Sequence, residues 1–157
     1  MKKILLLITL ALTLNAGVLF KAGQKNFGFS AGSSTGFGNT YTVIGANFNY
    51  FVQDDLSVGL GYQGYFGDDP KINELSIPVT YYYPYSDQYH PYAGFRYSHT
   101  FIDDPYKDYD VYGIRAGLAM AFGANSFMSI GWVQDYRDRD GDTESEGYPE
   151  ISMGFVF

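Results

Sequence analysis

Cysteine is absent from the 157 residues, histidine occurs twice and tryptophan once. Without thiols the chain has no disulfide framework and no thiolate metal site. That absence fits an exported protein that must avoid oxidative crosslinking. Basic side chains are also scarce, 10 Lys and Arg against 17 Asp and Glu. Nucleic acid is excluded as a partner on this ground, because phosphate backbones are bound by clustered Lys and Arg. After residue 16 no window is apolar enough for a helix in lipid, and no helical period of apolar residues emerges.

Residues 1–16, MKKILLLITLALTLNA, read as a signal peptide, with Lys2 and Lys3 as the positive start and Ala16 as the small residue at the cleavage edge. The apolar run Ile4–Leu14 falls well short of the roughly 20 residues a transmembrane helix needs. Leu14 is a poor residue two places before Ala16, so the cut itself is not fixed, and without cysteine no lipid anchor follows. Removing Lys2 and Lys3 takes the basic count from 10 to 8 against 17 acids, a net charge of −9. Residues 17–157 make one domain by length, with no repeat or linker dividing them.

What the chain has in excess is aromatic residues and glycine: 16 Tyr, 13 Phe and 19 Gly. Soluble sandwiches hide their aromatics, whereas transmembrane barrels carry them outward in girdles at the two membrane interfaces. With no helix available to lipid, a closed barrel is the remaining way to span it. Period-two alternation predicts eight strands near residues 24–34, 40–51, 55–66, 73–84, 91–102, 108–122, 126–137 and 147–157. Pro78 lacks an amide donor and predicts an irregularity inside the fourth. The expected fold is all-β, an eight-stranded antiparallel up-and-down transmembrane barrel.

The connections differ by parity. VQDD, YSDQYH and GAN follow strands two, four and six; STGFG, GDDPKI, DDPYK and RDRDGDTESE follow the odd strands. The odd set is the more acidic and its last member the longest, which predicts outside loops, since such barrels keep short periplasmic turns.

Apolar parity assigns the faces. Ile44, Ala46, Phe48 and Tyr50 share one face of strand two, Leu56, Val58, Leu60 and Tyr62 one face of strand three, and Met128, Ile130 and Trp132 one face of strand seven. The opposite faces hold Asn47, Asn49, Gln63, Glu74, Ser76, Thr80, Arg96, Ser98, Arg115, Ser129, Asp135 and Glu150. Alternation alone equally fits a soluble barrel with the faces reversed. The signal peptide, the girdle positions and the terminal Phe157 decide for lipid outside.

An eight-stranded barrel has room inside for side chains only. Arg96, Arg115, Glu74, Asp135 and Glu150 are therefore expected to form a salt-bridge plug, the alternative being hydrated barrel ends that pair them with water. A hairpin centred between Pro105 and Tyr106 would set Arg96 directly opposite Arg115, an arrangement that needs nearby anions.

The remaining chemistry is thin. His90 precedes Pro91 in an expected turn and reads as solvated; His99 shares an outward row with Ala93, Phe95, Tyr97 and Phe101. Its chain neighbours Ser98 and Thr100 point the other way, so no nucleophile of its own strand joins it. Asp138, Asp140, Asp142 and Glu144 alternate in a way that could ligate calcium weakly, but the residue after the third is Thr143 and not the EF-hand glycine, and Arg137 and Arg139 interleave. SAGSSTGFG is glycine-rich but has no helix after it to cradle phosphate.

The last ten residues, YPEISMGFVF, set Ile151, Met153, Phe155 and Phe157 on one face, and they resemble the C-terminal strand that marks bacterial outer-membrane barrels for insertion. With MKKILLLITL, YFVQDDLSVGLGY, PYAGFRYSH and SMGFVF, residues 17–157 resemble the small outer-membrane barrel family of OmpA/OmpX type. The resemblance implies a Gram-negative outer-membrane protein, monomeric, surrounded by lipids and lipopolysaccharide and inserted by the outer-membrane assembly machinery. It carries no catalytic motif, metal or cofactor, and the chain lacks the peptidoglycan-binding domain of larger relatives. Three roles are compatible: a non-enzymatic structural or surface-contact barrel, which is favoured; a narrow porin-like channel for very small solutes; and a lipid A-modifying enzyme using His99.

Overall fold

The computed structural model describes residues 19–36, 38–139 and 142–157, with the side chains of 36, 138, 139 and 142 excepted. The expected signal peptide, residues 1–16, lies outside the described residues. Among them eight strands run in order: β1 (Lys25–Gly36), β2 (Asn39–Gln53), β3 (Leu56–Phe66), β4 (Ile72–Tyr82), β5 (Tyr89–Ile102), β6 (Tyr109–Ala121), β7 (Ser126–Arg139) and β8 (Asp142–Val156). Each pairs antiparallel with the next, and β8 returns to β1 to close the barrel. The end bearing residues 19–24, Phe157 and connections 54–55, 83–88 and 122–125 is here called proximal, the other distal.

Period two is realised with the apolar face outward. Leu60 is 67% exposed and Ile130 53%, whereas Glu74 and Arg96 on the inner face are 2% and 4% exposed. Such a surface is the reverse of a water-soluble fold, in which buried charges are rare and large apolar patches are covered.

Pro78 leaves its mark where the missing donor matters. Pairing of β3 with β4 runs from Leu56↔Tyr81 to Val58↔Val79 and resumes in the same register at Gly61↔Ser76, skipping the positions of Gly59 and Pro78 and of Leu60 and Ile77. On its other side Pro78 still faces Arg96 of β5.

Three expectations are overturned. The β5–β6 register pairs Arg96 with Gly113 and Gly94 with Arg115, so the two arginines are offset by two positions and never oppose each other. The turn is centred one residue earlier than expected, which preserves parity while setting each guanidinium opposite a glycine. The long acidic loop at 137–146 is mostly ladder, since β7 and β8 pair out to Arg139↔Asp142. The distal connections 67–71 and 103–108 match the proximal 83–88 and 122–125 in scale. His90 is not a solvated turn residue either; it lies inside β5, 6% exposed.

Candidate functional site: the charged lumen

The lumen is built from inner-face residues at three levels. In the middle, β5, β6 and β7 place Arg96, Gly113 and Asp135 in one cross-strand row. Arg96 donates from Nε to Asp135 Oδ1 at 3.1 Å and from Nη2 to Asp135 Oδ2 at 2.6 Å, a two-point fork. Such forks match guanidinium and carboxylate geometry and are stronger than neutral bonds. Arg96 Nη1 also lies 3.1 Å from Glu74 Oε1. Tyr148 donates to Asp135 at 3.0 Å and Tyr65 to Glu74 at 3.2 Å. One buried cation thus serves two buried carboxylates, with phenols filling further acceptor positions.

Gly113 makes the row possible. A Cβ there would overlap Asp135 Oδ1 and stand 2.9 Å from Arg96 Cγ. A residue with no side chain lets the fork close across the strand that separates its partners.

Nearer the proximal end Arg115 pairs with Glu150, and its guanidinium lies 5.2 Å from the Tyr92 ring centroid. Tyr92 in turn extends over Gly117 and Gly131, where a Cβ would meet its hydroxyl. The five residues expected as one plug therefore form two groups: Arg96 with Glu74 and Asp135, and Arg115 with Glu150.

The third level escaped the sequence reading because its residues were assigned to a loop. Arg137 pairs with Glu146, and Arg137 stacks over Tyr109 at 5.7 Å. Glu146 also accepts from Ser34 Oγ and Thr35 N–H, each at 2.9 Å. This matters at the closing seam, where the β1–β8 ladder stops at Gly32↔Glu150, just before Pro149, which has no amide to donate. Beyond that point Glu146 ties the two strands. Asp135 and Glu146 oppose each other directly across β7 and β8. Their repulsion is relieved because each has its own arginine.

The other candidates do not converge. Asp140 lies outside the described residues, as do the side chains of Asp138 and Asp142; Glu144 is exposed and opposes Arg137. Among the described residues no group of three His, Cys, Asp or Glu is placed to hold a metal ion. His99 is on the outside, its Nδ1 2.7 Å from Asp110 Oδ1, which also accepts from the Tyr97 hydroxyl at 2.9 Å. Its neighbours in the cross-strand row are Leu75 and Asp110, so neither serine nor threonine stands beside it. Ile151, Met153, Phe155 and Phe157 form one outward row on and beyond β8, and Phe157 exchanges backbone hydrogen bonds with Lys25.

No family model matches the sequence, and a search of curated proteins finds no significant match. Solved structures do match. The N-terminal β-barrel domain of Pseudomonas aeruginosa OprF superposes with a TM-score of 0.69 at 20% identity, covering 87% of this chain and 98% of that one. Neisserial surface protein A gives 0.63 at 16%, covering 85% and 96%. Ail of Yersinia pestis, in phospholipid bilayer nanodiscs, gives 0.53 at 14%, covering 86% and 99%. The chain shares the fold of these small eight-stranded barrels.

Proposed function

We propose that this chain is an integral outer-membrane β-barrel of a Gram-negative bacterium, with a structural or surface-contact role, a closed lumen and no catalytic activity. The observation that carries the reading is the inversion of its two faces. Leu60, Ile77, Ile114, Ile130 and Trp132 stand exposed around the outside, while Glu74, Arg96 and Asp135 are buried within. Lipid stabilises the first set, and the closed ladder leaves no strand edge for it to meet. The proximal end faces the periplasm in this reading. Lipids and lipopolysaccharide surround a monomer, and the row Ile151, Met153, Phe155 and Phe157 is what the assembly machinery reads. The structural role is supported by the lumen, whose arginines are engaged with carboxylates rather than lining a free path.

Trp132 tests it, being the one tryptophan of the sequence and 53% exposed on the outer face. In vesicles of brominated phosphatidylcholine its fluorescence should be strongly quenched, and aqueous acrylamide should have little effect. The opposite pattern would overturn the membrane reading.

A further inference from the structure

The proximal mouth of the barrel is filled by a side chain that belongs to no strand. Residues 19–24 precede β1, and within them Phe20 adopts a φ of 66° and is completely buried. A bulky residue at positive φ persists only where its surroundings impose it. The Phe20 ring stacks on Tyr82 at 4.2 Å, meets His90 edge-on at 4.8 Å and Phe127 at 5.1 Å, and tilts against Phe51 at 5.6 Å. Those four rings come from β4, β5, β7 and β2, so one side chain touches positions distributed around the barrel.

The backbone around it is clamped to β2 and to the β2–β3 turn. Asp55 donates its N–H to the Phe20 carbonyl at 2.7 Å, and Gly23 donates to Phe51 at 2.9 Å. Asp54 accepts from the Ala22 N–H at 2.9 Å and from Lys21 Nζ at 3.1 Å.

Beyond the ring lies a polar chamber bordered by Asn26, Asn47, Asn49 and Thr80, with a volume of about 10 Å³. That is room for one water. The side-chain oxygens of Asn26 and Asn47 are buried and have no protein partner. Tyr82 and Phe127 border this chamber and also pack against Phe20.

We propose that residues 19–24 are a stopper: a strap anchored on the β2–β3 turn that holds Phe20 in the proximal mouth and seals a water-holding chamber from solvent at that end. The anchor is polar and exposed while the seal is aromatic and buried, so the two can be weakened separately. The stopper is a property of the fold alone, and its test is independent of the lipid reading tested by Trp132.

The absence of cysteine supplies the reporter. Ser57 is buried on the inner face, paired across strands with Thr80 of the chamber wall. In the refolded protein in detergent micelles, Ser57→Cys should react slowly with a small water-soluble methanethiosulfonate. Adding Phe20→Ala should raise the rate about tenfold or more, as expected when a local closed state is lost. Adding Asp54→Ala instead, which removes the acceptor for Ala22 and Lys21, should raise it by less, because the ring socket is intact. Folding is checked by heat-modifiable migration. Equal rates with and without Phe20→Ala in folded protein would overturn the stopper. If Phe20→Ala does not fold, Asp54→Ala decides: a faster rate supports the proposal and an unchanged rate rejects it.

Discussion

Arg96 and Asp135 lie on strands that are not neighbours and still form a two-point fork, because Gly113 between them has no side chain. The row is therefore sensitive to one methyl group. Gly113→Ala would place a carbon 2.9 Å from Arg96 Cγ and into Asp135, and should destabilise the barrel by about 1–3 kcal/mol. Urea unfolding in detergent, followed by Trp132 fluorescence and heat-modifiable migration, measures it. A midpoint unchanged from wild type would show that the fork moves aside at no cost.

The two inner arginines should not be equivalent. Arg96→Met removes the cation shared by Glu74 and Asp135, whereas Arg115→Met removes the partner of Glu150. Stranding buried carboxylates costs about 3–5 kcal/mol, so Arg96→Met is expected at or above that range and Arg115→Met below it. The sharper expectation is a sign reversal. Asp135→Asn should destabilise the wild-type barrel but stabilise Arg96→Met, because it then removes an unpaired charge. A double-mutant cycle by urea unfolding reads both signs.

These relationships show how far the sequence could be read. Period-two rows such as Leu56, Val58, Leu60 and Tyr62 were legible because a one-residue slip would turn the whole row inward. The identities of the buried charges were legible for the same reason. Their partners were not, because contacts such as Arg96–Asp135 depend on the register of two hairpins, and a turn misplaced by one residue moves every pair by two. The distal hairpin was misread because the acidic residues of 137–146 resemble loop composition, although charges such as Arg137 and Glu146 are stabilised inside this barrel by each other. His90 and Phe20 carried no local signal. Phe20 packs among rings contributed by four distant strands, and His90 packs against Phe20, which precedes β1.

The adjacent aspartates of the β2–β3 turn should titrate in opposite directions from the usual carboxylate value. Asp54 is held low, first by the Ala22 N–H and then by Lys21, and Asp55 is pushed up by burial. A lowered value means that Asp54 contributes stability above its unfolded pKa, and that this is lost as the pH falls through its folded pKa. For Asp55 the sign is opposite: its contribution is present below the unfolded pKa and lost as the pH rises through the folded one. On acidification Asp55 should therefore take its proton before Asp54. Carboxyl carbon NMR on the micelle-bound protein can follow both. Lys21→Met should return Asp54 only partway, since the Ala22 amide remains. The reverse order of titration would contradict the strap geometry.

Conductance is the most demanding measurement for the closed lumen. Eight strands leave interior space for side chains and little else. Here that space holds Phe20 at the proximal mouth, then Arg115 with Glu150, then the Arg96 fork, and distally Arg137 with Glu146. An ion crossing would have to displace an aromatic stopper and break buried charge-assisted bonds in succession. The refolded protein in a planar bilayer should therefore show no sustained nanosiemens steps. Phe20→Ala should leave conductance at baseline even though it admits the thiol reagent, because Arg115, paired with Glu150, itself borders the chamber it opens and the Arg96 level lies further in. Sustained porin-sized steps from the wild-type protein would overturn the closed-lumen reading. Steps that appear with Phe20→Ala alone would show that the stopper, and not the arginines, is the barrier to ions.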